Sequence, residues 1–209
     1  MAKTYLQRSP ATSLLVEVDW ESGREPAQSA LDYLASILSQ QLNKPGGIRI
    51  MRGNQVNGGR SSWTVDDLVA LERANRNVHS SGSRATMWFC YVGGSFAPNG
   101  GALAVSFSAS AAVVFRDRID DATSSLVLEP AIERSVITHE AGHLLALVNI
   151  GYHSQYNHED PQHPHHSNDP NSVMYWAVED VSIRNVVHGG PPDKFDAYDK
   201  ADLAMLRGT

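Results

Sequence analysis

Residues 136–149 read VITHEAGHLLALVN, and the chain is best understood outward from there. Apolar side chains fill most of the stretch (Val136, Ile137, Ala141, Leu144, Leu145, Leu147, Val148), which predicts a helix buried on most sides. Three polar residues interrupt it: His139, Glu140 and His143. Unpartnered polar groups cost about 1–3 kcal/mol each when buried, so these three need partners. The spacing supplies one. Residues four apart lie one turn above each other on a helix face, which aims the imidazoles of His139 and His143 at a common point. Tetrahedral zinc accepts such nitrogens at about 2.0–2.1 Å. Glu140, beside the first imidazole, is then placed to take a proton from a water at the metal.

A catalytic zinc needs a third protein ligand. Of nine histidines, seven fall between His139 and His166, and only His79 and His188 lie outside. That segment runs on into HHSNDPNSVMYW, residues 165–176. Together the His-Glu-x-x-His helix and the Ser-Val-Met-Tyr ending resemble the metzincin zinc metallopeptidases, whose motif HExxHxxGxxH is followed by a Met-turn. Ala146 stands at the glycine of that motif and Asn149 at its third histidine. The third ligand is therefore expected after an inserted segment, with Gly151 making the turn and lengthening the helix by about one turn. His166 lies eight residues before Met174, the metzincin spacing, and the frame from His166 through Ser167 and Ser172 to Met174 is similar to the H-C-x4-C-x-M of archaemetzincins. The resemblance implies His139, His143 and His166 as zinc ligands, Glu140 as general base and Met174 as packing beneath the metal. On the residues alone, His158 and then His153 stay open as rivals to His166. Archaemetzincins hold a second zinc with cysteines; Ser167 and Ser172 replace two of them, so that site does not carry over. The other loop histidines leave room for a different second metal.

Length and composition bound the rest. With 209 residues, the chain is long enough for one domain over 1–209, read as an N-terminal lobe to about 149 and a C-terminal lobe from about 150. A formal charge of −6 offers no basic face for nucleic acid. No apolar run is long enough to span a membrane. The first twenty residues show no apolar leader, which leaves two readings open: an intracellular protein, or one whose leader has been removed. Cys90 is the single cysteine, which excludes an internal disulfide; its apolar setting predicts a buried strand thiol. Oligomeric state is left open.

In chain order, 14–19 reads as a strand, Pro26 to Asn43 as an amphipathic helix, and 47–51 as a second strand, an opening of the α/β kind. Residues 54–62 read as loop. Thr64 caps a helix beginning at Val65, and 84–92 is an aromatic strand. Two short strands follow at 102–107 and 111–115. The second is the candidate edge strand for adding a peptide substrate. Residues 117–129 read as an acidic connection, 150–171 as a long loop shaped around metal, and 178–190 as weakly strand-forming. Asp199 looks like the cap of a last helix through Leu206.

The expected fold is α+β, with an α/β-like N-terminal lobe: a twisted mixed sheet with packed helices, a buried metal-bearing helix, a methionine corner and a C-terminal helix. The expected function is zinc-dependent endopeptidase acting on a peptide or protein. Three alternatives stand beside it: a zinc-binding relative that does not cleave, a zinc amidase or related hydrolase, and a non-enzymatic module that stores or senses metal.

Overall fold

The computed structural model describes residues 2–123, 129–181, 183 and 190–208. Its centre is a five-stranded sheet of β1 (Ser13–Glu21), β2 (Ile48–Val56), β4 (Arg84–Val92), β6 (Ala104–Ser108) and β7 (Ala111–Phe115). The order across it is β2-β1-β4-β7-β6, with every pairing parallel except the last. Parallel strands must be covered on both faces, and β4 shows how this is met. Met87, Phe89 and Tyr91 enter the larger core, under α2 (Gln28–Gln41) and α5 (Glu129–Leu144). Trp88, Cys90 and Val92 enter the smaller core with Leu68 and Leu71 of α3 (Val65–Asn75). Cys90 is a buried strand thiol, as expected, and burial pushes its ionisation well up.

The expected edge strand is corrected by this order. β7 is interior, between β4 and β6, because its AAVVF sequence is buried throughout. The edge is β6, whose residues after Ala104 are only partly covered. β2 runs five residues further than its apolar core suggests, held by pairing with β1 that resumes after a register shift between Val18 and Trp20. The acidic connection is partly helical: α4 (Arg116–Ala122) forms there, and Arg116 reaches across to the buried Glu133 of α5. Residues 124–128 lie outside the described part.

Segment 150–171 is not all loop, since β8 (Glu159–Asp160) and β9 (His163–Ser167) pair as a short hairpin. Trp176–Glu179 is a 3-10 turn. Most of the expected strand at 178–190, including His188, lies outside the described residues. The last helix, α6 (Ala197–Arg207), starts one turn earlier than Asp199 suggests. Asp196 is its cap and Asp199 the reciprocal acidic residue of the capping box. No helix among the described residues is long and apolar enough to cross a membrane.

Candidate metal centre

Helix α5 sits between the sheet and the C-terminal segment, with His139 and Glu140 fully buried. Gly142 makes close packing possible on its lower side: a Cβ there would come within 2.2 Å of Met174 Sδ. Met174 is thus pressed directly under the histidine turn of the helix. The residue before it anchors the first imidazole, as His139 Nδ1 donates to the Val173 carbonyl at 2.6 Å. That bond leaves Nε2 of His139 as a bare lone pair.

The helix ends at Leu144, and the turn is made at Ala146 and not at Gly151 as expected. The Ala146 N–H bonds the His143 carbonyl and the Leu147 N–H bonds the Gly142 carbonyl, the paired bonds of a Schellman cap. Ala146 therefore occupies the left-handed position normally given to glycine, with φ of 67°. Val148 and Asn149 also take positive φ, at 53° and 64°. This strain is tolerated because the turn is tied down: the Asn149 side chain donates to Glu159 and accepts from the Ser154 N–H, fastening the helix end to β8. A left-handed alanine costs about 1 kcal/mol that glycine does not. Ala146→Gly is accordingly expected to stabilise the chain by about 1 kcal/mol in urea unfolding; a neutral or destabilising result would mean that the cap does not form.

The turn and hairpin deliver His166 to the helix. Its ring centroid lies 5.2 Å from that of His139 and 5.0 Å from that of His143. His166 Nδ1 donates to the Pro164 carbonyl at 3.0 Å, which again leaves Nε2 as acceptor. Nε2 is buried and has no hydrogen-bond partner. The Nε2 atoms of His139 and His143 stand 2.9 Å apart. Only one proton can lie between them, and burial, followed by the neighbouring His139 and His166, holds the His143 imidazole well below the usual range for charging.

A fourth group faces the three rings. Glu179, at the end of the 3-10 turn, has Oε1 3.4 Å from His166 Nε2 and Oε2 3.6 Å from His139 Nε2. Burial opposes its ionisation, and the facing His139 and His166 rings favour it only when they carry a proton on Nε2. One ligand atom from each of His139, His143, His166 and Glu179 falls within 4.8 Å of the rest. Bonds of about 2.0–2.1 Å to a tetrahedral zinc separate its ligands by roughly 3.4 Å, so the donor set fits such an ion. The lone pairs converging here also lack any basic side chain to satisfy them among the described contacts.

Glu140 lies next to this cluster. One carboxylate oxygen accepts from Ser106 Oγ of β6 at 2.6 Å; the other is buried without a partner. Burial pushes its carboxyl up to about 8, with the charge of Glu179 adding to the effect. Alongside runs an open cleft of about 460 Å³, lined by Val105 and Phe107 of β6, Ile150, His143, His166 and Glu179. The fold thus brings together all four residues named from the sequence.

His158 and His153 are not part of the group. His158 is buried 2.9 Å from Asp202, and His153 is exposed in its loop. Glu179 and Ser106 went unnoticed in the sequence. A glutamate five residues past the methionine has no motif to mark it, and a half-buried strand serine has none either.

No family model matches the sequence, and no curated protein does. A solved structure does match: the crystal structure of an archaemetzincin from Methanopyrus kandleri superposes with a TM-score of 0.63. The match covers 94% of this chain and 97% of that one, at 14% sequence identity. The fold is archaemetzincin-like. Its five-stranded, mainly parallel sheet with packed helices is the layered α/β arrangement expected for the N-terminal lobe. At that identity the likeness concerns the backbone, and the chemistry has to be argued from this chain's own side chains.

Proposed function

We propose that this protein is a zinc-dependent endopeptidase, with zinc held by His139, His143 and His166 and Glu140 as general base. One observation supports it above the rest: three imidazole Nε2 atoms, two with their tautomer set by a backbone carbonyl, converge beside a buried carboxyl and an open cleft. Zinc bound there would supply Lewis acidity, acidifying water to a pKa near about 7 and polarising a carbonyl. Glu140, steadied by Ser106, accepts the water proton and returns it to the leaving amine. β6 presents a free edge along the same cleft, so an extended peptide pairs with it as a sixth strand. Ser106 lies on that strand, so one element both aligns the substrate and orients the base.

Removal of metal with a chelator is expected to abolish cleavage of a quenched peptide library, and one equivalent of zinc at this centre to restore it. Full cleavage by the metal-free chain would sink the proposal. Glu179 favours a second reading, a zinc-binding chain that does not cleave, because its carboxylate reaches the place where water is needed. The same assay separates the two: on that reading Glu179→Ala, and not the wild type, cleaves peptides.

A further inference from the structure

The open cleft continues past the three histidines. Ala109, just beyond the end of β6, and Ile150, in the turn after α5, line it and also line a second cavity of about 370 Å³. Leu144 at the end of α5, Tyr152 and Leu206 of α6 form further walls of that cavity. Lys3, on the short helix α1 (Ala2–Leu6), is exposed at its rim.

Hydrogen bonds fix these walls without using their apolar faces. Tyr5 Oη of α1 donates to the Thr86 carbonyl at 3.0 Å and stands 3.4 Å from the Ala109 carbonyl, tying α1 to the end of β6. Gln7 Nε2 donates to the Leu206 carbonyl at 3.3 Å, which ties the same segment to α6. The Tyr152 hydroxyl donates to Asp202 at 2.7 Å, so its polar tip is satisfied away from the cavity. The result is a formed apolar hollow of the size that binding sites use.

Its place along the sheet edge selects its occupant. A peptide added to β6 pairs more stably antiparallel than parallel, so the residues before its scissile bond run toward Ala109. Ser106, which donates to Glu140, stands beside the reacting bond. Ala109 is three residues further on, about 10 Å at roughly 3.3 Å per residue. The cavity therefore meets the third or fourth residue before that bond. Carbon from Leu144, Ile150, Tyr152 and Leu206 favours an apolar side chain there, and the Lys3 ammonium repels a basic one.

We propose that this cavity is a specificity site remote from the metal, selecting peptides with a large apolar residue three or four positions before the cleaved bond. Its role rests on the peptidase reading; its capacity to bind such a side chain does not.

The test uses the full zinc-loaded chain and alanine octapeptides carrying one leucine, serine or lysine at each position in turn, with products identified by mass spectrometry. Leucine peptides are expected to be cut with the leucine third or fourth before the bond. Their kcat/KM should exceed that of the matching serine peptides by at least about tenfold, with lysine lower still. Leu206→Asp should bring the leucine-to-serine ratio close to one. A ratio of two substrates on one protein is not mimicked by partial loss of folding. Ala109→Trp, at an exposed position, blocks the junction with the cleft and should act likewise, so it decides the matter should Leu206→Asp fail to fold. A wild-type ratio near one overturns the site, as does a ratio unchanged in the variants that fold. If no peptide is cut, the peptidase reading fails separately, and fluorescence anisotropy with the same peptides, labelled, decides the cavity. Leucine peptides binding at least about tenfold tighter than serine peptides, with the difference lost in Ala109→Trp, supports it; equal binding rejects it.

Discussion

Glu140→Gln is expected to lower the rate of peptide cleavage by about 10²–10⁴-fold while zinc stays bound at wild-type stoichiometry. The amide keeps the shape of the side chain and can still accept from Ser106, so folding and metal content should hold. What it loses is the ability to take a proton. In the metal-free chain the carboxyl is pushed up to about 8, mainly by burial, which places its proton affinity close to neutral. A cation beside it acts in the opposite direction and favours the carboxylate, the form a base needs. The measurement is kcat on a peptide the wild type cleaves, together with metal content by mass spectrometry. Wild-type turnover in the variant would show that Glu140 is not the base.

Zinc affinity provides the second large effect. His166→Ala should lower it more than about 100-fold, because loss of a direct ligand exceeds the 10–100-fold typical of groups that only orient ligands. His158→Ala should leave the affinity of the three-histidine centre within a few-fold, since His158 is committed to Asp202. Glu179→Ala should fall between them, at about tenfold, because its oxygens stand 3.4–3.6 Å from two imidazole nitrogens without being required for a three-histidine site. A ranking with His158 first would move the third ligand back to the rival considered from the sequence.

Some of this was legible without any coordinates. His139, Glu140 and His143 are neighbours by helix periodicity alone, and a nearly all-apolar helix announces its own burial. Local chemistry marked the cap at Thr64, where the side chain accepts from Asp67 and the reciprocal bond is present. The buried thiol at Cys90 and the strands β1 and β4 likewise follow from short runs of residues. Nearest-neighbour rules failed where a choice depended on distant partners. The AAVVF and AVSFS strands look equally fit to be an edge until the sheet order puts β4 against one of them. Ala146 looks unable to end a helix, yet the ties of Asn149 to Glu159 and Ser154 hold the chain in a turn that an isolated peptide would avoid.

The sequence by itself determined the two imidazoles and the carboxylate on one buried helix, because their relation is set by a 3.6-residue period and needs nothing else. Tertiary structure alone decided that His166 stands beside His139 and His143, that Glu179 faces them and that Ser106 donates to Glu140. Those residues lie 23 to 40 positions from the helix pair in chain terms, or on another element entirely, and no local period relates them. Their meeting depends on a strained turn, a short hairpin and a methionine seated under a glycine. Each of these is paid for by packing elsewhere in the fold.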